Sequence, residues 1–308
     1  MKKKSTLAIV SILLVGLGWY LFIKKYDYVV TFKEKTAPGT IFQGTLDWAE
    51  NLKRLDSVDA KITFKQSFSS IIQELKTKDS TITFHWSYTG INDSITKVKV
   101  GVIDTENSLL NRVLLPFTAN GIKQFSVNKL WHFKISLAKH LKKHKVKIDG
   151  DAIIPEQFYA YISIESTLQQ KAQNMIANNS YIMVFLKENN IQIIGKPIVE
   201  VVSWNIPEQK ISYNYGFSIK EADSLPFHKD IKYKRILSKK AIKATYNGNY
   251  RTSDRAWFAL YDYAKRNNLK IEEKPFEIFY DNPFSGGNEL EWRAEVFMPL
   301  SNLKRICL

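Results

Sequence analysis

The segment 186–202, LKENNIQIIGKPIVEVV, returns 78 positions downstream as 264–280, AKRNNLKIEEKPFEIFY, so the C-terminal half of this 308-residue chain is built twice. Each copy reads as the end of an amphipathic helix, an Asn-Asn stop, a short apolar turn, then Lys-Pro leading into a β-rich strand. Asparagine tolerates the left-handed conformation that closes a helix, and proline cannot continue one. One such unit cannot bury a sheet face alone. Two pair about a pseudo-twofold axis, and the groove between paired halves is a usual place for a small-molecule pocket. The first copy is expected to run as strand 158–164, helix 168–188 and strands 197–203 and 211–217. The second runs as strand 241–246, helix 253–267 and strands 276–280 and 291–298. Gly248 permits the reversal that launches the second helix, with Ser253 or Asp254 as its cap.

The first 25 residues stand apart. Lys2, Lys3 and Lys4 precede an uncharged stretch from Ser5 to Ile23, closed by Lys24 and Lys25. About 18 to 20 apolar residues, rising about 1.5 Å each, span the hydrocarbon core of a bilayer. A cleaved signal peptide is the competing reading, but it is shorter and ends at small residues, whereas this stretch ends Trp19-Tyr20-Leu21-Phe22. Residues 6–23 are therefore expected to anchor the chain in a membrane. The N-terminal lysines favour a cytoplasmic N-terminus and an exported body, an asymmetry that Lys24 and Lys25 weaken.

The net charge of +15 raises nucleic acid as a partner, but the lysines are spread along the whole chain. The densest run, 139–147 (KHLKKHKVK), reads as a solvated helix end where cations suit the macrodipole. No helix-turn-helix, zinc-finger spacing or aromatic RNA-binding signature accompanies it, so no nucleic-acid partner is expected. Excess lysine beside a membrane anchor fits attraction to acidic head groups. Cys307 is the only cysteine and no internal disulfide can form. His140 and His144, at i and i+4, are expected on a solvated helix face; no glutamate or cysteine accompanies them, and the adjacent lysines repel a metal ion. No nucleophile elbow, Walker loop or dinucleotide fingerprint occurs, and Ser285-Gly286-Gly287 reads as a loop. No cofactor is expected.

Between Tyr26 and Lys147 the pattern is strands followed by one long helix. Residues 28–32, 61–68, 81–88 and 97–103 alternate or are β-branched and aromatic, with a turn-rich stretch at 89–93. Then Phe125, Leu130, Phe133, Leu137 and Leu141 recur near helical spacing. An opening strand, the 36–42 stretch (TAPGTIF) leading into a first helix, Trp48, paired strands 81–88 and 97–103 and a closing helix at 125–141 resemble the START/polyketide-cyclase (helix-grip, SRPBCC) superfamily over about 120 residues. That resemblance implies an antiparallel sheet wrapped around the closing helix, enclosing either a lipid-like ligand or a packed core.

In the duplicated half, Tyr246-x-Gly248-x-Tyr250, Trp257 and Leu260, Pro275-x-Glu277-x-x-Tyr280 with Asn282-Pro283, and Glu295-Val296-Phe297-Met298-Pro299-Leu300 follow one another in order. Together they resemble the GyrI-like, or AraC-type effector-binding, family. The resemblance implies a duplicated β-α-β-β fold whose cleft holds amphipathic, often cationic, small molecules, with a last-strand glutamate that maps to Glu295. On that strand Arg293, Glu295 and Phe297 point one way and Trp292, Ala294, Val296 and Met298 the other. Glu295 is expected on the open face, where a ligand cation or a neighbouring Arg or Lys compensates it. Tyr250, Trp257, Tyr280, Phe297 and, in the first copy, Asn214 beside Tyr213 complete the expected ligand-binding set, with core packing the competing role for Tyr250 and Trp257. Asn214 stands where Glu295 stands in the second copy, so one half carries the charge. Regulators of this family carry a DNA-binding domain ahead of the sensor, which here is replaced by the anchor and the helix-grip-like segment.

The sequence thus predicts an α+β protein with an anchor at 1–25, a START-like domain at 26–149 and a GyrI-like domain at 150–303. Its expected activity is binding of a small amphipathic, cationic molecule as sensor or sequestering module. The rivals are a hydrolase of strained electrophiles in which Glu295 activates water, and a lipid-binding envelope scaffold. No partner protein is indicated.

Overall fold

The computed structural model describes residues 2–55, 59–77, 80–114 and 121–301; Cys307 and the last two positions of the expected third domain lie outside them. The architecture is mixed α and β, with two antiparallel sheets and one apolar N-terminal helix. That helix, α1 (Lys2–Gly18), continues into a π-helical turn at Trp19–Ile23. The stretch Thr6–Ile23 has a mean hydropathy of 2.3 and none of it is buried, so it is long and apolar enough to cross a membrane.

The chain divides into two compact units, the first reaching Ala138 and the second starting at Lys139, with Lys35–Thr40 and Gly90–Ile95 belonging to the second. The first unit holds β1 (Tyr28–Glu34), α2 (Pro38–Leu55), β2 (Asp59–Gln66), β3 (Ser70–Lys76), β4 (Thr81–Asn92), β5 (Ile95–Asp104), α3 (Ser108–Leu114) and α4 (Gly121–Leu141). Its strands lie in the order β1-β5-β4-β3-β2. Period-two alternation buries Ile82, Phe84, Trp86 and Tyr88 of β4 with Val98, Val100 and Val102 of β5. Against them α2 sets Ile41, Phe42 and Trp48, and α4 sets Leu130, Phe133 and Leu137. Trp48, Trp86 and Phe133 meet with ring centroids 5.1 to 5.9 Å apart.

Two elements here escape the sequence pattern. In β3 the inward positions are Ile71, Gln73 and Leu75, and the polar middle residue hides the alternation. Its carbonyl Oε1 accepts from Trp86 Nε1 at 3.1 Å, while its Nε2 is buried with no hydrogen-bond partner among the described residues. The stretch 89–93 is not the turn itself: β4 runs on to Asn92, whose side chain accepts from Ser94 N at 3.0 Å to close the reversal.

The second unit continues with β6 (His144–Ile154), β7 (Gln157–Thr167), α5 (Lys171–Glu188), β8 (Ile193–Asn205), β9 (Lys210–Ile219), β10 (Lys232–Ile236), β11 (Lys239–Gly248), α6 (Asp254–Arg266), β12 (Phe276–Phe279) and β13 (Arg293–Pro299). One eight-stranded sheet runs β10-β7-β9-β8-β12-β13-β11-β6. The two copies are β7-α5-β8-β9 and β11-α6-β12-β13, and they join where β8 pairs with β12, Ile198 opposite Ile278 and Glu200 opposite Phe276. Both Asn-Asn stops close their helices in the expected way. Asn190 and Asn268 take φ of 55° and 53°, and the next amide reaches back, Ile191 N to Leu186 O at 2.8 Å and Leu269 N to Ala264 O at 2.9 Å.

Two local expectations are corrected. β6 runs through the 149/150 boundary, with Gly150 at φ 91° beside the register shift where β6 meets β11. His140 and His144 do not share a solvated helix face: α4 stops at Leu141, and His144 opens β6, buried and stacked on Tyr246. The lysine run around them reads as a helix end, but strand pairing with β11 captures its second half.

Candidate functional site

Strand alternation gives the eight-stranded sheet a helix-covered face and an opposite face, and each carries an acidic cluster. On the helix-covered side β9 presents Tyr213, Tyr215 and Phe217 and β12 presents Glu277 and Phe279. Glu277 is fully buried. Lys171, the first residue of α5 and 1% exposed, places Nζ 2.6 Å from Glu277 Oε2, 2.8 Å from Ser253 Oγ and 4.4 Å from the centroid of Trp257. Trp257 Nε1 donates to the other carboxylate oxygen at 2.9 Å, and Tyr213 Oη donates to the Lys171 carbonyl at 3.0 Å. A buried ion pair is tolerable only when its hydrogen-bonding groups find further partners, and Ser253 and Trp257 supply them here. Ser253 is thereby drawn away from capping α6; Asn249 instead accepts from Arg251 N at 3.0 Å at the turn Tyr250–Thr252 that precedes the helix. Gly248, at φ 148°, leads into that turn.

Beside this network lies a cavity of about 450 Å³. One wall is α5, through Ala172, Met175, Ile176, Asn179 and Met183. The floor is Tyr215, Phe217 and Phe279. The opposite wall is the second copy's turn Asn249–Arg251, the loop Tyr280–Phe284 and Trp292. Its polar rim is largely committed to the frame. Tyr250 Oη donates to Arg293 O at 2.9 Å and accepts from Asp281 N at 3.0 Å. Tyr215 Oη donates to Asn179 Oδ1 at 2.8 Å, Trp292 Nε1 donates to Gly286 O at 3.2 Å, and Asp281 Oδ2 accepts from Arg293 N at 2.6 Å. Lys196 Nζ donates to Tyr280 O at 3.1 Å. Arg251 is among the lining residues, and its guanidinium has no partner among the described residues. Burial pushes the Tyr250 phenol up to about 12, so it stays protonated. An aromatic-walled space of this size suits a flat, mostly apolar molecule, and its rim carries two cations, Lys196 and Arg251, beside Asp281, with Lys196 and Asp281 bonded to backbone groups.

Glu295 lies on the opposite face and does not line that cavity. Its Oε1 is 3.2 Å from Lys243 Nζ and its Oε2 accepts from Tyr280 Oη at 2.8 Å, with the side chain 18% exposed. Arg293 stacks its guanidinium 4.0 Å from the Tyr280 ring centroid. Burial, with the Glu295 hydrogen bond adding to it, pushes Tyr280 up to about 12. The first copy answers with its own acid on the same face. Glu200 accepts from Tyr159, from Asn214 Nδ2 at 2.8 Å and from Lys234 Nζ at 2.7 Å. Burial works against its charge, but the hydrogen bonds from Lys234, Tyr159 and Asn214 hold Glu200 below the usual carboxylate range. The expectation that only one half carries a charge is therefore corrected: Asn214 does match Glu295 in register, but Glu200 on the neighbouring strand supplies the acid. Between these clusters Phe297 packs with Phe276, Ile278, Ile198 and Tyr159 in a closed apolar core.

Of the expected ligand-binding residues, Tyr250 lines the cavity, and Tyr280 belongs to the loop that walls it while its hydroxyl reaches Glu295 on the other face. Trp257 and Tyr213 are buried around the Lys171–Glu277 pair, and Glu295, Phe297 and Asn214 belong to the other face. Sequence reasoning missed Lys171, Lys196, Arg251, Phe284, Trp292 and the α5 wall. Glu277 was visible within Pro275-x-Glu277-x-x-Tyr280, and strand parity places it on the helix side, opposite Tyr280.

The family model described as GyrI-like small molecule binding domain matches residues 153–301. No curated protein matches the chain. Among solved structures, the EcmrR C-terminal domain is 14% identical with a TM-score of 0.43, over 52% of this chain and 99% of that one. A protein solved with bound tetraphenylphosphonium is 12% identical with a TM-score of 0.35, over 53% and 97%. A hydrolase from Listeria innocua is 12% identical with a TM-score of 0.32, over 55% and 98%.

Proposed function

We propose that residues 153–301, which match a small-molecule binding domain, hold a flat aromatic molecule, neutral or anionic, in the cavity between α5 and the Tyr250 and Tyr280–Phe284 segments, and that the chain is a membrane-anchored sensor or sequestering module. The observation that carries this is the combination of a largely pre-committed aromatic wall with a cation at the rim, Arg251, that has no partner among the described residues. A cationic ligand at Glu295 has less support, because Lys243 and Tyr280 engage both of its carboxylate oxygens and the cavity lies on the other face. The same engagement removes support from Glu295 as an activator of water. Anchoring rests on the uninterrupted apolar stretch Thr6–Ile23. For the first unit we retain the helix-grip reading, in which α4 closes over the five-stranded sheet and the Trp48–Trp86–Phe133 contact fills the grip with side chains.

Calorimetry of the full chain in lipid nanodiscs, with heats from empty nanodiscs subtracted, tests the reading. The probes are 2-naphthoate, 2-naphthol and a naphthyl trimethylammonium salt. Naphthoate and naphthol should bind saturably, and Ile176→Trp, which fills the cavity, should abolish both. Arg251→Gln should weaken naphthoate by about tenfold, the worth of one charge-assisted hydrogen bond, and leave naphthol unchanged. Preferential binding of the ammonium probe, or indifference to Ile176→Trp, overturns it.

A further inference from the structure

Helix α3 is amphipathic in the wrong sense for a water-facing surface. Asn111 and Arg112 are buried, while Leu109, Leu110, Val113 and Leu114 are 53%, 57%, 48% and 38% exposed. The polar side is fully accounted for. Arg112 Nε lies 2.9 Å from Asp27 Oδ1, Ser108 Oγ donates to the same carboxylate, and Asn111 Nδ2 donates to Asp104 Oδ2 at 2.7 Å; both aspartates are buried. A soluble helix would turn its aliphatic side to this core and its Asn and Arg to water. Here the polar side is the one held inward, and Leu109, Leu110 and Val113 are turned outward from the described residues.

The same arginine ties α3 to the apolar span. Arg112 Nη1 donates to the Leu21 carbonyl at 2.8 Å. Leu21 sits in the π-helical turn that ends the span, between Tyr20 and Phe22 and close to Trp19. Aromatic residues at such an end sit at head-group level, and the last carbonyls of a helix there lack intrahelical partners. A guanidinium at that point satisfies one of them and suits the negative end of the helix dipole. Its second effect is geometric: it fixes α3 at the depth where the span leaves the hydrocarbon.

We infer that α3 is a membrane-contact surface, lying in the interfacial zone of the bilayer with Leu109, Leu110 and Val113 at the boundary between head groups and acyl chains. This rests on the reading of Thr6–Ile23 as a membrane span. The bilayer interface is the environment that favours an outward aliphatic face of this kind while the polar side stays protein-bound. The anchor is then more than a flexible tether: the Asp27–Arg112–Leu21 contacts hold the first unit against the membrane surface.

The test uses the full chain carrying Cys307→Ser, reconstituted in vesicles of phosphatidylcholine and phosphatidylglycerol. Single nitroxides are placed through Leu14→Cys in the span, Leu110→Cys on α3 and Lys61→Cys on exposed β2. Collision rates with oxygen, which partitions into lipid, and with a water-soluble nickel chelate report depth. The expected result is an oxygen-to-nickel ratio at Leu110 several-fold above that at Lys61, below that at Leu14, and reproduced by Val113→Cys. If Leu14 lies in lipid but Leu110 and Val113 match Lys61, the α3 proposal is overturned while the span stands. If Leu14 itself is open to the nickel chelate, the span reading fails and the proposal goes with it.

Discussion

At the scale of single residues, Lys171 has the largest predicted consequence. Its ammonium and the Glu277 carboxylate are both out of water, so removing one leaves the other charged and unpaired. Lys171→Met is expected to cost on the order of 3–5 kcal/mol in chemical unfolding. Lys171→Met with Glu277→Gln should recover most of that loss, because the amide carries no charge to bury. Additive losses in the double variant would show that the pair is not coupled. Neither role is legible in one dimension. Lys171 looks like one more lysine in a chain with 45 basic residues, and only the packing of α5 on β12 brings it to Glu277 across 106 positions. Glu295 shows the reverse. Its strand parity is read correctly from sequence, with Ala294, Val296 and Met298 buried on the opposite side, yet Lys243 comes from β11 and no local pattern reveals it.

Among the elements, the junction of α4 with β6 carries a pH signature. Burial, reinforced by the nearby Arg255 guanidinium, pushes His140 down to about 4. Burial and the neighbouring His140 push His144 down to about 3. Arg255 Nε donates to His140 Nε2 at 3.2 Å, so that nitrogen is an unprotonated acceptor, and His144 Nδ1 is buried without a hydrogen-bond partner among the described residues. Both rings are therefore neutral in the folded protein, whereas in the unfolded chain they titrate near 6.5, the ordinary histidine value. The unfolded state binds more protons below that pH, so stability falls as pH drops through about 6.5 and the loss levels off only below the folded values. Urea midpoints measured between these limits should rise with pH, and His144→Phe, which retains the stacking on Tyr246, should flatten the slope. An unchanged slope would refute the burial argument. The helix period of α4 is legible, since Leu130, Phe133 and Leu137 are its buried stripe. Its last turn is not, because lysine-rich KHLKKHKVK satisfies a solvated helix and an edge strand equally well, and β6 is indeed an edge strand of the sheet.

For the whole molecule, a net charge of +15 and an uncovered apolar helix set the behaviour in the presence of lipid. The full chain is expected to remain with the membrane after alkaline carbonate extraction, which strips proteins held by charge alone. Leu13→Arg with Leu14→Arg places two charges in the middle of the span, at a cost of roughly 2.5–3.5 kcal/mol each, and should release a large fraction. Release of the wild type would mean that Thr6–Ile23 is not a stable anchor.

By itself the sequence determined the elements whose signals are local and periodic. The Asn-Asn stops, most of the strands, the apolar stretch Thr6–Ile23 and the duplication follow from side-chain patterning within a few residues, whereas β3, β6 and β10 do not. The tertiary structure alone decided which charges meet. The Lys171–Glu277 pair, the Lys234 and Lys243 partners of the opposite face, and Arg112 beneath Leu21 are contacts between elements far apart in the chain. It also decided that the cavity walled by α5, Tyr215 and Trp292 lies on the helix side, away from Glu295. Alternation states only that Glu277 and Glu295 face opposite sides; which side is left open depends on where α5 and α6 come to rest.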